Sequence, residues 1–372
     1  MSATAPDLAA LPPLSFLDLL GFAGLAKLEI PILCALVTGD PLLLVGGHGT
    51  AKSAVIRAIA RCLDLRFHAY DASKALFEDI VGFPDPSSLA QGRIRYVPTP
   101  MSMWDKELVF VDELSRAAPA MQNKWLEVVR GRRLMGVEVT SLKYVFAAMN
   151  PPHYLGTNPL DPALAGRFAW VVQMPGVADM ETCEVHRVVR ACSDEDAPYV
   201  PAFHPDVDTV VPQLSAEVEG ARALLPEVVA RYDEVVTAWV TELEVGLGAT
   251  DAPLDGRRMA MLRRNMLTAI AVRRSLGHSV SDLDPLAFDV LNASLPHPAT
   301  GATIEAASVL TAHASAVRSA FDELATAELG AIHVLAARTP KAQIQRYLEL
   351  APSLCEADHD LVLLHLVDPF RH

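Results

Sequence analysis

A chain of 372 residues with an apolar fraction of 51% has room for about two to three domains and enough core-forming residues to exclude wholesale disorder. Its formal net charge of −14 argues against a chain-wide nucleic-acid-binding surface, which is normally basic, while leaving room for a local basic pore. The five cysteines (Cys34, Cys62, Cys183, Cys192 and Cys355) are odd in number and lack a C-x-x-C pair, which fits reduced thiols and not a disulfide frame or zinc site.

No Lys or Arg precedes Lys27, so residues 1–13, rich in Pro and Ala, do not read as a charged leader. Asp18, Lys27, Glu29 and the break Gly39-Asp40-Pro41 interrupt the long apolar runs, and no membrane span is expected. The chain reads as cytoplasmic. Phe16 to Val37 has a helical pattern that ends at Gly39-Asp40-Pro41.

Next comes the run Leu42-Leu43-Leu44-Val45, followed by Gly46-Gly47-His48-Gly49-Thr50-Ala51-Lys52-Ser53 and a helix-like run from Ala54 to Leu63. Buried strand, Gly-rich turn and helix N-terminus form the context of a phosphate-binding loop, in which loop amides and the positive helix end face one anion. Lys52 would reach the β- and γ-phosphates, and the Ser53 hydroxyl would ligate Mg²⁺. Ala51 stands where the last Gly is usual, but Ala is the smallest side chain after Gly. A Gly-rich turn without nucleotide is the plainer reading of the same residues.

Arg66 to Tyr70 reads as a second strand. Phe83 to Thr99 places Pro84, Pro86, Pro98 and Gly92 around the alternating patch Arg93-Ile94-Arg95-Tyr96-Val97, the pattern of an inserted hairpin. Leu108-Val109-Phe110-Val111 is a buried strand ending in Asp112 and Glu113, and such strands deliver their last residues to a ligand crevice. Asp112 would hold Mg²⁺ through water, and Glu113 would orient and deprotonate the attacking water, although such a pair also serves as a helix cap. Met121 to Val129 reads as a helix and Arg130-Gly131-Arg132-Arg133 as a basic turn. A strand from Lys143 to Met149 ends at Asn150, which would bond the γ-phosphate or lytic water, or serve as an ordinary turn residue. Ala169 to Met174 closes the sheet, and the alternation of strands and helices predicts a three-layer α/β domain.

Pro175-Gly176 and Ser193 to Pro205 read as linker or loop, and from Ser215 onward nearly everything reads helical, including a long run from Ile304 to Ala337. Gly246-Leu247-Gly248, Pro253 and Pro296-His297-Pro298 punctuate it, with no internal repeat.

These motifs in this order resemble the MoxR branch of the AAA+ ATPases. The resemblance rests on Leu42 to Ser53, Gly92 to Pro98, Val111 to Ala117, Ala148-Met149-Asn150-Pro151, Gly156 to Leu160 and Gly166-Arg167-Phe168. It extends over residues 15–297, through Asp255-Gly256-Arg257-Arg258 and Asp282 to Leu295. The implied fold is an α/β P-loop core with a parallel sheet over residues 1–180, a linker and α-helical lid over 181–297, and a helical extension over 298–372. The resemblance implies that Asn150 is the sensor beside the γ-phosphate and Arg167 the arginine finger that completes a neighbour's site. Arg257 best matches the second sensor on the lid, with Arg258 as the alternative. His48 stands where the family usually has Pro.

A Mg²⁺-dependent ATPase is therefore expected, forming a ring, most simply a hexamer, that remodels or activates a protein partner such as one with a von Willebrand factor A domain. The hairpin at 83–99 and the turn at 130–136 are the surfaces expected to face a pore. The alternatives are a nucleic-acid-linked NTPase of a restriction or defence system, which only Arg130, Arg132 and Arg133 support, a nucleotide-gated scaffold with negligible turnover, and a chelatase-type ATPase.

Overall fold

The apolar runs that end at Asp112 and at Asn150 become strands whose bodies are buried. The computed structural model describes residues 15–154, 156–191, 207–248, 253–280 and 283–321, together with 341, 344, 345, 347 and 348. Its strands are β1 (Leu42–Val45), β2 (Phe67–Asp71), β3 (Phe83–Pro84), β4 (Tyr96–Val97), β5 (Leu108–Asp112), β6 (Arg133–Leu134), β7 (Val137–Glu138), β8 (Tyr144–Met149) and β9 (Trp170–Gln173). The longer helices are α1 (Glu29–Thr38), α2 (Lys52–Cys62), α3 (Pro119–Gly131), α4 (Thr182–Ala191), α5 (Val207–Leu247), α6 (Gly256–Ser275), α7 (Asp284–Asn292) and α8 (Ala306–Ala320).

One five-stranded sheet has the order β2-β5-β8-β1-β9, and its β2–β5 and β5–β8 pairs are parallel. Leu108 to Val111 and all of β8 are buried. That is why these segments are continuous apolar runs: a parallel strand covered on both faces has no solvent side on which to place alternating polar residues. Each fully buried Leu, Val or Phe contributes about 2 kcal/mol of hydrophobic stabilisation. β2 stands at the sheet edge, and its Phe67, His68 and Ala69 are only half-buried.

Three sequence expectations are corrected. Phe16 to Val37 is not one helix: a Ser15-capped turn (Phe16–Leu19) and a 3-10 turn (Ala26–Leu28) precede α1. Gly21 (φ 86°) and Gly24 (φ 76°) break it, because both adopt a left-handed backbone. At Gly24 a β-carbon would also lie 2.9 Å from the Met180 side chain. Secondly, the alternating patch Arg93 to Val97 is a strand only at its end. Phe83 pairs with Val97 and Pro84 with Tyr96, while a short helix (Pro86–Leu89), capped by the Asp85 carboxylate, fills the insert. Thirdly, Arg130 to Arg133 is not a turn. Arg130 and Gly131 finish α3, Arg132 caps it in a left-handed conformation, and Arg133 opens the hairpin β6–β7. Its tip is Met135-Gly136, both with positive φ (55° and 77°), a geometry that suits two-residue hairpins. The Glu127 carboxylate accepts from both tip amides, at 3.2 and 2.6 Å.

The chain divides into two compact units, each discontinuous in sequence. The first comprises Met1–Ile32, Leu44–Pro151 and Gln173–Ala216, and the second Leu33–Leu43, Pro152–Val172 and Glu217–His372. In the second unit Trp239 is fully buried and stacks on Phe321 at 6.0 Å. Arg222 donates to the carbonyls of Leu36 and Val37 at 2.7 and 3.0 Å, satisfying acceptors that the end of α1 leaves open. The expected loop from Ser193 to Pro205 and the far half of the run Ile304 to Ala337 lie outside the described residues.

Gly82 gives a direct test of the insert. It follows the short helix Phe77–Val81 with φ 101°, and a β-carbon there would sit 2.2 Å from the Val97 carbonyl oxygen. Gly82→Ala should cost about 2 kcal/mol or more, because backbone strain and a backbone clash add. Gly92 also has positive φ (69°), but open space surrounds it, so Gly92→Ala should cost only about 1 kcal/mol. Equal falls in melting temperature for the two variants would mean that the close approach at Gly82 is not what holds the insert.

Candidate nucleotide site

Strand β1 ends at Val45, and the backbone then turns sharply away. The Gly46 amide donates to the Met149 carbonyl at 3.1 Å, tying the start of the loop to the end of β8. A β-carbon on Gly46 would lie 2.5 Å from that of Met174, so only glycine fits. Ala51 closes the loop with φ 61°, the left-handed region, which explains why glycine is usual there. Helix α2 begins at the next residue, and no side chain caps it. Its first amides are thus presented beside a Gly-rich loop, the arrangement that binds anions.

Lys52 is buried. Its Nζ donates to the carbonyls of Gly46 and Gly47, both at 2.7 Å, and to Asn150 Oδ1 at 3.3 Å. Burial lowers its pKa below the usual lysine value, and the charges of Asp112 and Glu113 oppose that shift. The Ser53 hydroxyl donates to Asp112 Oδ2, which joins the helix start to the tip of β5.

Glu113 leaves the strand with φ 54° and ψ 36°. That left-handed step turns its carboxylate back toward the tip of β8. There Asn150 Nδ2, fully buried, donates to Glu113 Oε1 and Oε2 at 3.2 and 3.1 Å. Arg116 Nε forms an ion pair with Glu113 Oε2 at 3.1 Å. The sequence analysis gave Arg116 no role, because the pairing depends on the 3-10 turn that follows the left-handed Glu113. His48, exposed, brings its Nε2 to 3.4 Å from Asn150 Nδ2, so the residue standing in place of Pro reaches the same cluster.

Lys52, Ser53, Asp112, Glu113, Asn150 and His48 therefore meet at the ends of three strands of the first unit. Gly47, Gly49 and Thr50 complete the loop: Gly49 has φ 75° with open space around it, and the Thr50 hydroxyl donates to the Gly47 carbonyl at 2.9 Å. The donor set suits Mg²⁺, because Ser53 and Asp112 offer hard oxygens already within a hydrogen bond of one another. The loop suits a polyphosphate, because an uncapped helix start and a buried ammonium adjoin one point.

The remaining candidates lie in the second unit. Arg167 follows a short helix (Pro162–Ala165) whose N-cap is Asp161, the carboxylate accepting from the Ala163 amide at 2.7 Å. Arg257 and Arg258 open α6 behind the N-cap Asp255, and they differ sharply. Arg257 is exposed. Arg258 is buried, and its Nη1 donates to the carbonyls of Phe168 and Ser294 at 2.9 and 2.7 Å. Burial pushes its pKa down to about 10, with Asp255 opposing and Arg257 adding to the shift.

Residues 24–196 match the family described as the MoxR domain in the MoxR-vWA-beta-propeller ternary systems. The uncharacterized protein YeaC of Bacillus subtilis is 26% identical over 156 residues, which take in 41% of this chain and 48% of that protein. The match thus spans about half the length of that curated relative. A crystal structure of a "putative ATPase" from Cytophaga hutchinsonii superimposes with a TM-score of 0.51 at 20% identity, covering 82% of this chain and 92% of that one. At that identity the likeness concerns the fold. No described helix is long and apolar enough to cross a membrane. Loop, acidic strand tip, sheet order and domain match agree: residues 24–196, just under half of the chain, are similar to the MoxR domain.

Proposed function

We propose that this chain is a Mg²⁺-dependent ATPase that assembles into a ring, a hexamer, and uses ATP hydrolysis to remodel or activate a protein partner bearing a von Willebrand factor A domain. The observation that carries the reading is the meeting of Lys52, the Ser53–Asp112 pair and the Glu113–Asn150 pair at one point. Lys52 and the loop amides bind the phosphates. Ser53 and Asp112 hold Mg²⁺, which supplies charge neutralisation on the phosphate oxygens. Glu113 accepts the proton of the attacking water, and Asn150 orients that water. Arg257 is the lid sensor, because it is exposed while Arg258 is committed to backbone carbonyls. Arg167 acts on a neighbouring subunit's γ-phosphate.

The partner reading has its own support. The domain that matches is described from systems that include a vWA component. Both inserted hairpins also expose apolar side chains: Phe83, Ile94 and Val97 on one, Met135 and Val137 on the other. Clustered exposed apolar groups suit a protein surface better than a phosphate backbone.

Mixing two inactive variants tests the ring. Arg167→Ala keeps the phosphate loop and Lys52→Ala keeps the finger, so mixed rings contain some interfaces where an intact loop meets an intact finger. Part of the ATPase activity should return on mixing, and wild-type specific activity should rise with protein concentration. A mixture that stays inactive while mixed rings form, or normal hydrolysis by Arg167→Ala alone, would remove the trans-acting role.

A further inference from the structure

Arg167 lies in a segment fastened on both sides. On the entry side, Asp161 caps the short helix before it, and the Leu160 amide donates to the Ala299 carbonyl at 3.0 Å. The Arg167 amide itself continues that helix, donating to the Leu164 carbonyl at 3.0 Å. On the exit side, the next two carbonyls are both taken by side chains of α6. Phe168 O accepts from Arg258 Nη1 at 2.9 Å, and Ala169 O accepts from Asn265 Nδ2 at 2.9 Å. The same two side chains converge on Ser294: Arg258 Nη1 reaches its carbonyl at 2.7 Å and Asn265 Nδ2 its hydroxyl at 2.9 Å. Arg258, Asn265 and Ser294 are all buried, with exposures of 5%, 1% and 1%.

The Arg258 guanidinium sits against two carbonyl acceptors. Its burial is costly unless the charge is well used, as the lowered pKa reflects. Here the charge is spent on carbonyls one residue beyond Arg167 and at the end of α7. Arg257, adjacent in sequence, points its charge to solvent from the same first turn of α6.

We infer that Arg258, with Asn265, is the positioning residue for Arg167: the pair locks the backbone after Arg167 to the helix that carries Arg257, so that the two arginines move as one body. The inference rests on the proposed roles of Arg167 and Arg257. A guanidinium misplaced by about 1 Å loses most of its effect on a transition state, so the lock need not move far to matter.

The test uses the full chain with Arg258→Met, Arg258→Lys and Asn265→Ala, with Arg167→Ala as the reference. Arg258→Met should bind ATP within about threefold of the wild type by calorimetry, while kcat falls at least about tenfold. Arg258→Lys should recover part of the loss, since an ammonium still donates to a carbonyl. Mixing Arg258→Met with Lys52→Ala should restore activity, as Arg167→Ala does, because the finger comes from the other subunit. Mixing it with Arg167→Ala should restore none. If Arg258→Met does not fold, Asn265→Ala removes only the Ala169 link and should show a smaller kcat loss with the same mixing pattern. Wild-type kcat in the Arg258 and Asn265 variants, with Arg167→Ala impaired, would overturn the positioning role alone. So would restored activity on mixing with Arg167→Ala, or an affinity loss that accounts for the whole defect. Normal hydrolysis by Arg167→Ala itself would overturn the finger reading and this inference with it.

Discussion

Glu113→Gln should bind ATP and turn it over roughly 10²-fold or more slowly, the scale on which loss of a general base acts. The substitution keeps the side-chain length, and an amide oxygen can still accept from Asn150 Nδ2, which lies 3.1–3.2 Å from the carboxylate. What disappears is the proton acceptor and the ion pair to Arg116. That pair is partly exposed, so its loss should cost about 1 kcal/mol or less and leave the melting temperature nearly unchanged. A catalytic role thus separates cleanly from a structural one. Single-turnover hydrolysis at saturating ATP measures the effect, and the proposed ring should persist longer because bound ATP is not consumed. Unchanged turnover would make Glu113 a structural residue at the end of β5.

Lys52→Ala should weaken ATP binding by at least about a hundredfold, corresponding to the loss of about 3 kcal/mol of charge-assisted bonds to phosphate. The side chain is already in place for that role: buried, 2.7 Å from two loop carbonyls and joined to Asn150. Its removal also leaves Asp112 and Glu113 without the cation that their charges favour. Titration calorimetry decides the matter, and wild-type affinity would displace the phosphate loop from Gly46–Ser53. A pH series adds a check with a defined sign. Burial lowers the Lys52 pKa, so the ammonium is lost at a lower pH than an exposed lysine would lose it. ATP affinity should therefore begin to fall earlier in the alkaline range, and Lys52→Arg should flatten that fall where it still binds.

The local features of the site were legible in the sequence because they are local in cause. A run such as Leu108 to Val111 fits a strand covered on both faces of a parallel sheet, and such sheets present their ligands at the strand ends. That argument placed Asp112, Glu113 and Asn150 at strand tips, and the Gly-rich turn followed by Lys52 and Ser53 placed Gly46–Ser53. It could not show that Arg116 pairs with Glu113, because a left-handed step at Glu113 aims the carboxylate, and no composition signals positive φ at a glutamate. Pattern misled at Phe16 to Val37, where two glycines break a helical run, and at Arg93 to Val97, where alternation met only a two-residue partner strand. Arg257 and Arg258 mark the limit most clearly. Adjacent arginines behind one N-cap are equivalent in a linear reading, yet successive helical residues point about 100° apart. Which of them turns inward depends on what packs there. In this chain the carbonyls of Phe168 and Ser294, distant in sequence, bind Arg258 and leave Arg257 outside.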